Sequence, residues 1–583
     1  MNPFQEYKLV RAGDLTATYV DGTLRNISSN GTEILRMIYA AVRDEKWLNI
    51  PHEIVSEKIH SGEKEFQIEL LVLFKKDAIE LMAEYLIIGH KDNRITFGFK
   101  GTALSGFMKN RIGICVLHPP ETCRGKECMI THPDQTTEKQ IFPESIAPHQ
   151  PFKNISSMAW KFENQAEAIL TLEGDVFETE DQRNWTDASY KTYSTPLSIP
   201  YPAYIEKDTP VTQSAILKIF RSSAPVRSVH EGLVFKIEHS ARFPLPEIGV
   251  CVSSRVEPLS LHEATLLKET GFRHLRGEIH LFSNYWPDQY KRMIHESILV
   301  GLPVELCLLF GDDPGNELAH FLNEFSRNPA NVQSVLVLSA YHKATPENLL
   351  SEVMPVIRRA LGGIPVGAGT NCNFAQLNRA VPDVERVDFI SFAIHPQEHA
   401  SDDRTLFENT AAQKDAVDSA RIIARNKPVH VSPVTLQRRF NANVSNYEAL
   451  KNDHADSAAE DPRQQEQFAA AWTVGSLKHL MESGAASVTY YETAGKRGVL
   501  NKNKVFPVYN IFRNLKAGYE ILKTSSSHPL FFDGFSLVND DKGLIFLANF
   551  TERTREIYCD YPVRQVVSLK PYETKILGFE ITI

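Results

Sequence analysis

Eight apolar runs, each followed by a helical segment, constrain this chain more than any other feature. After Pro244 they recur as IGVCVSS, RHLRGEIHL, VELCLLF, SVLVLSA, IPVGAGT, DFISFAIH, PVHVSPV and SVTYYET. These are largely continuous apolar stretches, as expected of strands covered on both faces in a parallel sheet. Between them, Tyr290, Met293, Ile294 and Ile298 recur at helical spacing, as do Leu350, Val353, Met354, Ile357 and Leu361. Gly301 and Gly363 follow these stripes, where a left-handed helix cap is wanted. Eight such units predict a parallel (β/α)8 barrel over residues 241–522, a TIM barrel whose C-terminal mouth is an active site.

A chain of 583 residues needs more than this one domain, because single cores stop growing at about 250 to 300 residues. From Leu15 to about Arg242, segments such as FQIELLVLF, RITFGFKG and AILTLEG alternate and are divided by Gly, Asn and Asp turns. They predict a β-sandwich-like N-terminal domain over residues 1–240. The last barrel helix is expected from Phe506 to about Leu522. Beyond it GLIFLANF, VVSLK and TKILGFEI alternate again, giving a small C-terminal β-domain over residues 523–583. The fold class is multidomain α/β.

The formal charge of −9 is mild, and no Lys/Arg cluster is dense enough to follow a phosphate backbone, so nucleic acid is not an expected partner. No stretch of about 18 apolar residues occurs, and MNPFQEYKLVRAGDL has no apolar signal-peptide core. A cytoplasmic protein without a membrane partner is expected. Its seven scattered cysteines suit a reducing compartment. Cys123 and Cys128, with His118 and His132 around them, lack the tight spacing of a structural zinc site and read as loop thiols. Neither a metal nor a cofactor is expected.

Catalytic groups of barrel enzymes come from the C-terminal strand ends. Glu305 starts its run and reads as structural; Glu278 and Glu492 end theirs. By the two-residue period Arg276 and Glu278 share a face, and so do Tyr490 and Glu492. Runs one, two and eight are neighbours in a closed barrel, so the two carboxylates can face one pocket. For Glu278 the competing reading is an interior ion pair with Arg276.

The sixth run leads into HPQEHASDDRTLFE. A helix N-cap explains Asp402 or Asp403 but not the residues before them, which favours pocket contact for Gln397 and His399. The seventh run ends in SPVTLQRRF, offering Thr435 and Arg438 as donors, with one of Arg438 and Arg439 pointing inward. Residues 178–193, ETEDQRNWTDASYKTY, mix carboxylates, amides, hydroxyls and Trp185 in the way that suits a polyhydroxylated ligand; the alternative is an exposed polar hairpin. Runs four and seven end in Ser339-Ala340 and Ser432-Pro433, without the carboxylates that the commonest barrel glycosidases carry there. The first run ends in VSSR with no H-x-H, and no G-x-S-x-G elbow is present.

Together EDQRNWTDASYKTY, HPQEHASDDRTLFE, SPVTLQRRF, DPRQQEQFAAAW and TYYETAGKRG, with the opening GTLRNISSNGTEILRMIYAAVRD, resemble the D-apionate lactonase family. The resemblance spans all three expected domains. It implies hydrolysis of D-apionolactone, or a related aldonolactone, to D-apionate in the use of a branched plant sugar, so the expected partner is a small sugar lactone. Glu278, where an Asp is expected, and Ile394-His395, in place of Asn-Pro, leave room for another aldonolactone.

Lactone hydrolysis needs a base for water, donors for the oxyanion and an acid for the departing ring oxygen. The base falls to Glu492 or Glu278. The oxyanion donor falls to Arg438 or His399, and the acid to His399 or the other carboxylate. Glu180, Asp181, Arg183, Asn184 and Trp185 are expected to hold the polyol, with Arg276, Gln397 and Thr435 as further substrate contacts. The rival readings are a glycoside hydrolase and a carbohydrate-binding protein without catalysis.

Overall fold

A computed structural model describes residues 8–162, 166–220, 232–440 and 460–580. They form two compact units. The first takes the described residues up to Gln182 and from Ala188 to Phe220; the second takes Arg183–Asp187 and all described residues from Gly232 on.

The first unit is β-rich, as its alternation predicts. Two nine-stranded, largely antiparallel sheets contribute to one core. Along Phe66–Lys76, for instance, Phe66, Ile68, Leu70, Val72 and Phe74 are buried while the residues between them are not. Cys123 and Cys128 lie in this core, and His118 bonds through Nε2 to Thr192 Oγ1 at 2.9 Å. Among the described residues no group of three or more His, Cys, Asp and Glu side chains could hold a metal ion.

In the second unit all eight apolar runs carry strands, and these close into a barrel. They are β1 (Glu247–Cys251), β2 (His274–His280), β3 (Val304–Phe310), β4 (Val332–Ser339), β5 (Val366–Gly369), β6 (Phe389–Ile394), β7 (Val429–Val434) and β8 (Ser487–Glu492). Every residue of β3 is buried, the mark of a strand with the barrel interior on one side and helices on the other. On β2 a Cβ at Gly277 would meet Met293 of the helix Trp286–Val300, so this position faces outward and its neighbours Arg276 and Glu278 face inward.

The helix expected from Phe506 to Leu522 is shorter, Pro507–Arg513, because Glu520–Ser526 is already a strand. That strand pairs antiparallel with Leu233–Pro244, which precedes the barrel, so the C-terminal seven-stranded sheet takes strands from both sides of it in sequence. Lys478, on the helix Gln467–Glu482, ties barrel to sheet by donating to the Thr524 carbonyl at 2.9 Å and Thr524 Oγ1 at 2.8 Å. No helix among the described residues is long and apolar enough to cross a membrane.

The barrel interior is held by a buried charge network. Arg276 Nη1 donates to the Ser432 carbonyl at 3.0 Å, Ser432 Oγ at 2.7 Å and Glu305 Oε1 at 3.3 Å. Its Nε donates to Glu278 Oε1 at 3.2 Å, and its Nη2 donates to Asn371 Oδ1. Glu305 also accepts from Ser432 Oγ at 2.8 Å and from His430 Nδ1 at 3.0 Å. Burial alone would raise the Glu305 carboxyl, but the His430 hydrogen bond and the charges of His430 and Arg276 outweigh it and hold it well below the ordinary carboxylate range.

A carboxyl depressed by folding stabilises the fold above its unfolded value, and that contribution is lost as pH falls through the folded one. Glu305→Gln, which leaves Arg276 short of a buried counter-charge, should therefore lower urea stability by about 3 kcal/mol near neutrality. The gap to wild type should narrow as pH falls below about 5. A variant as stable as wild type at pH 7 would show that the network does not hold the barrel.

Candidate active site

Glu492 reaches the barrel mouth through a break in strand alternation. Val250 pairs with Tyr490 and the next residue, Cys251, pairs with Glu492, so Tyr491 is an extra residue in β8. Its φ of +44° lies in the left-handed region, uncommon for a bulky side chain. As a result Tyr490 and Tyr491 both reach the helix Gln467–Glu482, 2.8 Å from Ser476 Oγ and from Thr473 Oγ1 respectively. The expectation that Tyr490 and Glu492 share a face fails for this reason: the bulge flips the register between them.

The Glu492 side chain is 3% exposed. Its Oε2 accepts from the Ser254 backbone N–H at 3.0 Å and Ser254 Oγ at 2.8 Å, in the loop after β1. Arg497 Nε lies 3.1 Å from Oε1 as a charge contact, yet Oε1 has no hydrogen-bond donor among the described residues. A buried acceptor left open costs about 1–3 kcal/mol, so one kept at a strand end calls for a functional explanation.

Glu278 is the ion-pair partner of Arg276 that the competing reading expects, and it also faces Arg439. Its Oε2 is 3.6 Å from Arg439 Nη2. Burial works against the Arg439 charge, but the carboxylates of Glu278 and Glu492 outweigh it and raise its pKa above the ordinary range. Arg439 Nη1 and Asn371 Nδ2 are buried donors without an acceptor among the described residues. Arg439, Glu492, Thr435, Tyr491 and Arg497 line a narrow cleft together with Leu436, Gln437, Asp461 and Gln464. Of the two neighbouring arginines, then, Arg439 lines the cleft, while the charge of Arg438 acts on His395.

Beneath Glu492 stands a carboxyl that strand-end reasoning did not single out. Glu296 accepts from Thr493 Oγ1 at 2.8 Å and from the Ser253 N–H at 3.3 Å, so it ties together the loops leaving β8 and β1. Burial above all, helped by the Glu492 charge and opposed by these hydrogen bonds, pushes its pKa up to about 7. Its helix stripe gave no sign of it, because a buried Glu facing a strand end resembles a surface residue until the fold is known.

A second group of polar residues surrounds the loop after β6. Asp402 caps its helix by accepting from the Thr405 N–H at 3.0 Å. Gln397 donates to the Leu436 carbonyl at 2.7 Å and Asp461 Oδ2 at 2.7 Å, and accepts from Gln437 Nε2 at 3.1 Å, so it buttresses the cleft wall. Thr435 donates to the Gln437 carbonyl at 2.6 Å.

The run 178–193 divides between the units. Glu180, 2.9 Å from Lys191 Nζ, and Asp181, which accepts from the Ala147 N–H at 3.1 Å, belong to the first. Arg183–Asp187 belong to the second. There Arg183 pairs with Asp415 at 3.2 Å and Asn184 accepts from Asn378 Nδ2 at 3.0 Å. The Trp185 ring is edge-on to His399 with centroids 5.5 Å apart, and the Arg379 guanidinium lies 4.9 Å over it. Asp187 accepts from Asn409 Nδ2 at 2.7 Å and is hydrogen-bonded to His399 Nδ1. Asp187 was within reach of sequence reasoning, two residues past Trp185, but only the fold supplies its histidine.

Residues 1–222 match the family described as "D-apionate lactonase, N-terminal domain", and residues 248–520 match "D-apionate lactonase, TIM barrel domain". A D-apionate lactonase of Brucella anthropi is 27% identical, with 94% of this chain and 95% of that protein covered. Among solved structures, a glycoside hydrolase family 30 subfamily 8 xylanase from Clostridium acetobutylicum aligns at 11% identity and TM-score 0.40, over 59% of this chain and 99% of its own. A beta-arabinopyranosidase aligns at 9% identity and TM-score 0.30, over 99% of this chain and 98% of its own.

The raised pKa of Glu296 means that the fold retains a proton the unfolded chain would release, so this group costs stability as pH rises from the unfolded carboxyl value through about 7. Glu296→Gln keeps the acceptor for Thr493 and Ser253 but cannot ionise. Its melting temperature relative to wild type should rise between about pH 5 and about pH 8, a gain of roughly 1–3 kcal/mol. A difference that stays constant with pH would remove Glu296 as a titrating group.

Proposed function

The chain belongs to the D-apionate lactonase family, and on that footing we propose that it hydrolyses D-apionolactone, or a closely related aldonolactone, to the open-chain acid at the barrel mouth. That it is a lactone-hydrolysing enzyme follows from the family. The substrate and the roles below are our reading, and the open acceptor of Glu492 carries it.

Hydrolysis of a lactone requires a base beside the attacking water and a fixed donor where negative charge develops. Glu492 Oε1 is the acceptor available for a water proton, while Ser254 holds Oε2 and so fixes the plane of the carboxylate. Arg439 supplies the oxyanion donor through Nη1. Glu278 serves less well as the base, since guanidinium groups face both of its oxygens, Arg276 at Oε1 and Arg439 at Oε2, whereas Glu492 has one, Arg497 at 3.1 Å from Oε1; Glu278 aims Arg439 instead. The same guanidinium suits the carboxylate product.

The purified protein given D-apionolactone should release acid, followed with a pH indicator and identified as the aldonate by NMR. Glu492→Gln should lose at least about 10²-fold in kcat. Near-native activity in that variant would remove Glu492 as the base. Release of nitrophenol from aryl glycosides, with lactones untouched, would make the protein a glycoside hydrolase instead.

A further inference from the structure

The segment Arg183–Asp187 brings to the barrel a carboxylate that no strand end supplies. Asp187 is 5% exposed and is held from two sides, by Asn409 Nδ2 and by His399 Nδ1. With Nδ1 committed to the carboxylate, the ring is fixed in the tautomer and orientation that leave Nε2 for chemistry. Among the described residues Nε2 has no hydrogen-bond partner. The edge-on Trp185 limits tilting of the ring. Gln397, two residues before His399, is bonded to Leu436 and Gln437, two walls of the cleft.

Resting on the lactonase reading, we propose that His399 is the catalytic acid for the departing ring oxygen and that Asp187 is its positioning residue. Water gives one proton to Glu492 as its oxygen bonds to the carbonyl carbon. The acyl C–O bond then breaks, its electron pair goes to the ring oxygen, and that oxygen takes the Nε2 proton of His399 in its imidazolium form. Solvent carries the Glu492 proton away and recharges the imidazole, so the sum is one water added to one lactone. A departing alkoxide is a poor leaving group, which is why this step needs a donor that strand-end carboxylates on β4 and β7 do not provide.

The charged groups around the pair are Asp187 on the segment Arg183–Asp187, His395 and Glu398 on the loop of His399, Arg438 after β7, and Arg379 against Trp185. Of these groups the Asp187 carboxylate is bonded to the ring, so it sets the ring's orientation.

The test is kcat against pH with D-apionolactone for wild type, His399→Gln and Asp187→Asn, alongside thermal melts. His399→Gln keeps a hydrogen bond to Asp187 but cannot transfer a proton. It should lose at least about 10²-fold in kcat with KM within a few fold and melting unchanged. Asp187→Asn, which frees the ring to turn, should lose roughly tenfold in kcat with KM within a few fold. With dihydrocoumarin, whose phenolate leaves without a proton, His399→Gln should lose far less. A His399→Gln enzyme with wild-type kcat and profile overturns the pair. If either variant fails to fold, a wild-type kcat that stays flat from about pH 6 to about pH 9 overturns it as well. A wild type inert toward all lactones would instead sink the hydrolase reading itself.

Discussion

Much of this barrel turns on one fully buried guanidinium. Arg276 spends its donors on its own strand at Glu278, on β3 at Glu305, on the end of β5 at Asn371 and on β7 at Ser432, which fixes four parts of the wall to a single planar group. An ammonium in its place could match neither the number nor the fixed fork of these bonds. The same network reaches upward, since the Glu278 carboxylate that faces Arg276 also faces Arg439 at 3.6 Å. The position of the cleft donor is thereby set by the core rather than by its loop.

That coupling has an electrostatic consequence. Glu278, Glu305, Glu492 and Glu296 stand against Arg276, Arg439 and Arg497, one carboxyl more than there are guanidinium groups. Glu296, with its pKa near 7, is partly neutral around physiological pH, which brings the set toward balance. Arg439, which keeps a buried donor open at this cleft, can meet a developing oxyanion or a carboxylate product.

Sequence reasoning recovered what depends on local period and missed what depends on register and distance. The eight strands were legible because runs buried on both faces carry few polar residues, and Arg276 with Glu278 followed from the two-residue period of an unbroken strand. Glu492 was found from its strand-end position, but its face was misjudged, because one extra residue at Tyr491 inverts everything after it and leaves no mark in composition. Arg438 and Arg439 are adjacent, and only the twist of their loop decides which enters the cleft. The helix expected to reach Leu522 was cut short by a pairing between Glu520–Ser526 and Leu233–Pro244, strands separated by the whole barrel.

Asp187 shows why such distances matter for chemistry. It meets His399 across 212 residues, so the pair exists only when the segment Arg183–Asp187 is seated on the barrel. The seating is secured by a buried ion pair, Arg183 with Asp415, and breaking such a pair is costly because it leaves an uncompensated charge behind. A barrel that lacks acids at the ends of β4 and β7 can in this way gain a proton donor without rebuilding a strand. The carboxylate that positions the donor comes from a stretch distant in sequence, and the ion pair that holds that stretch protects its alignment with His399.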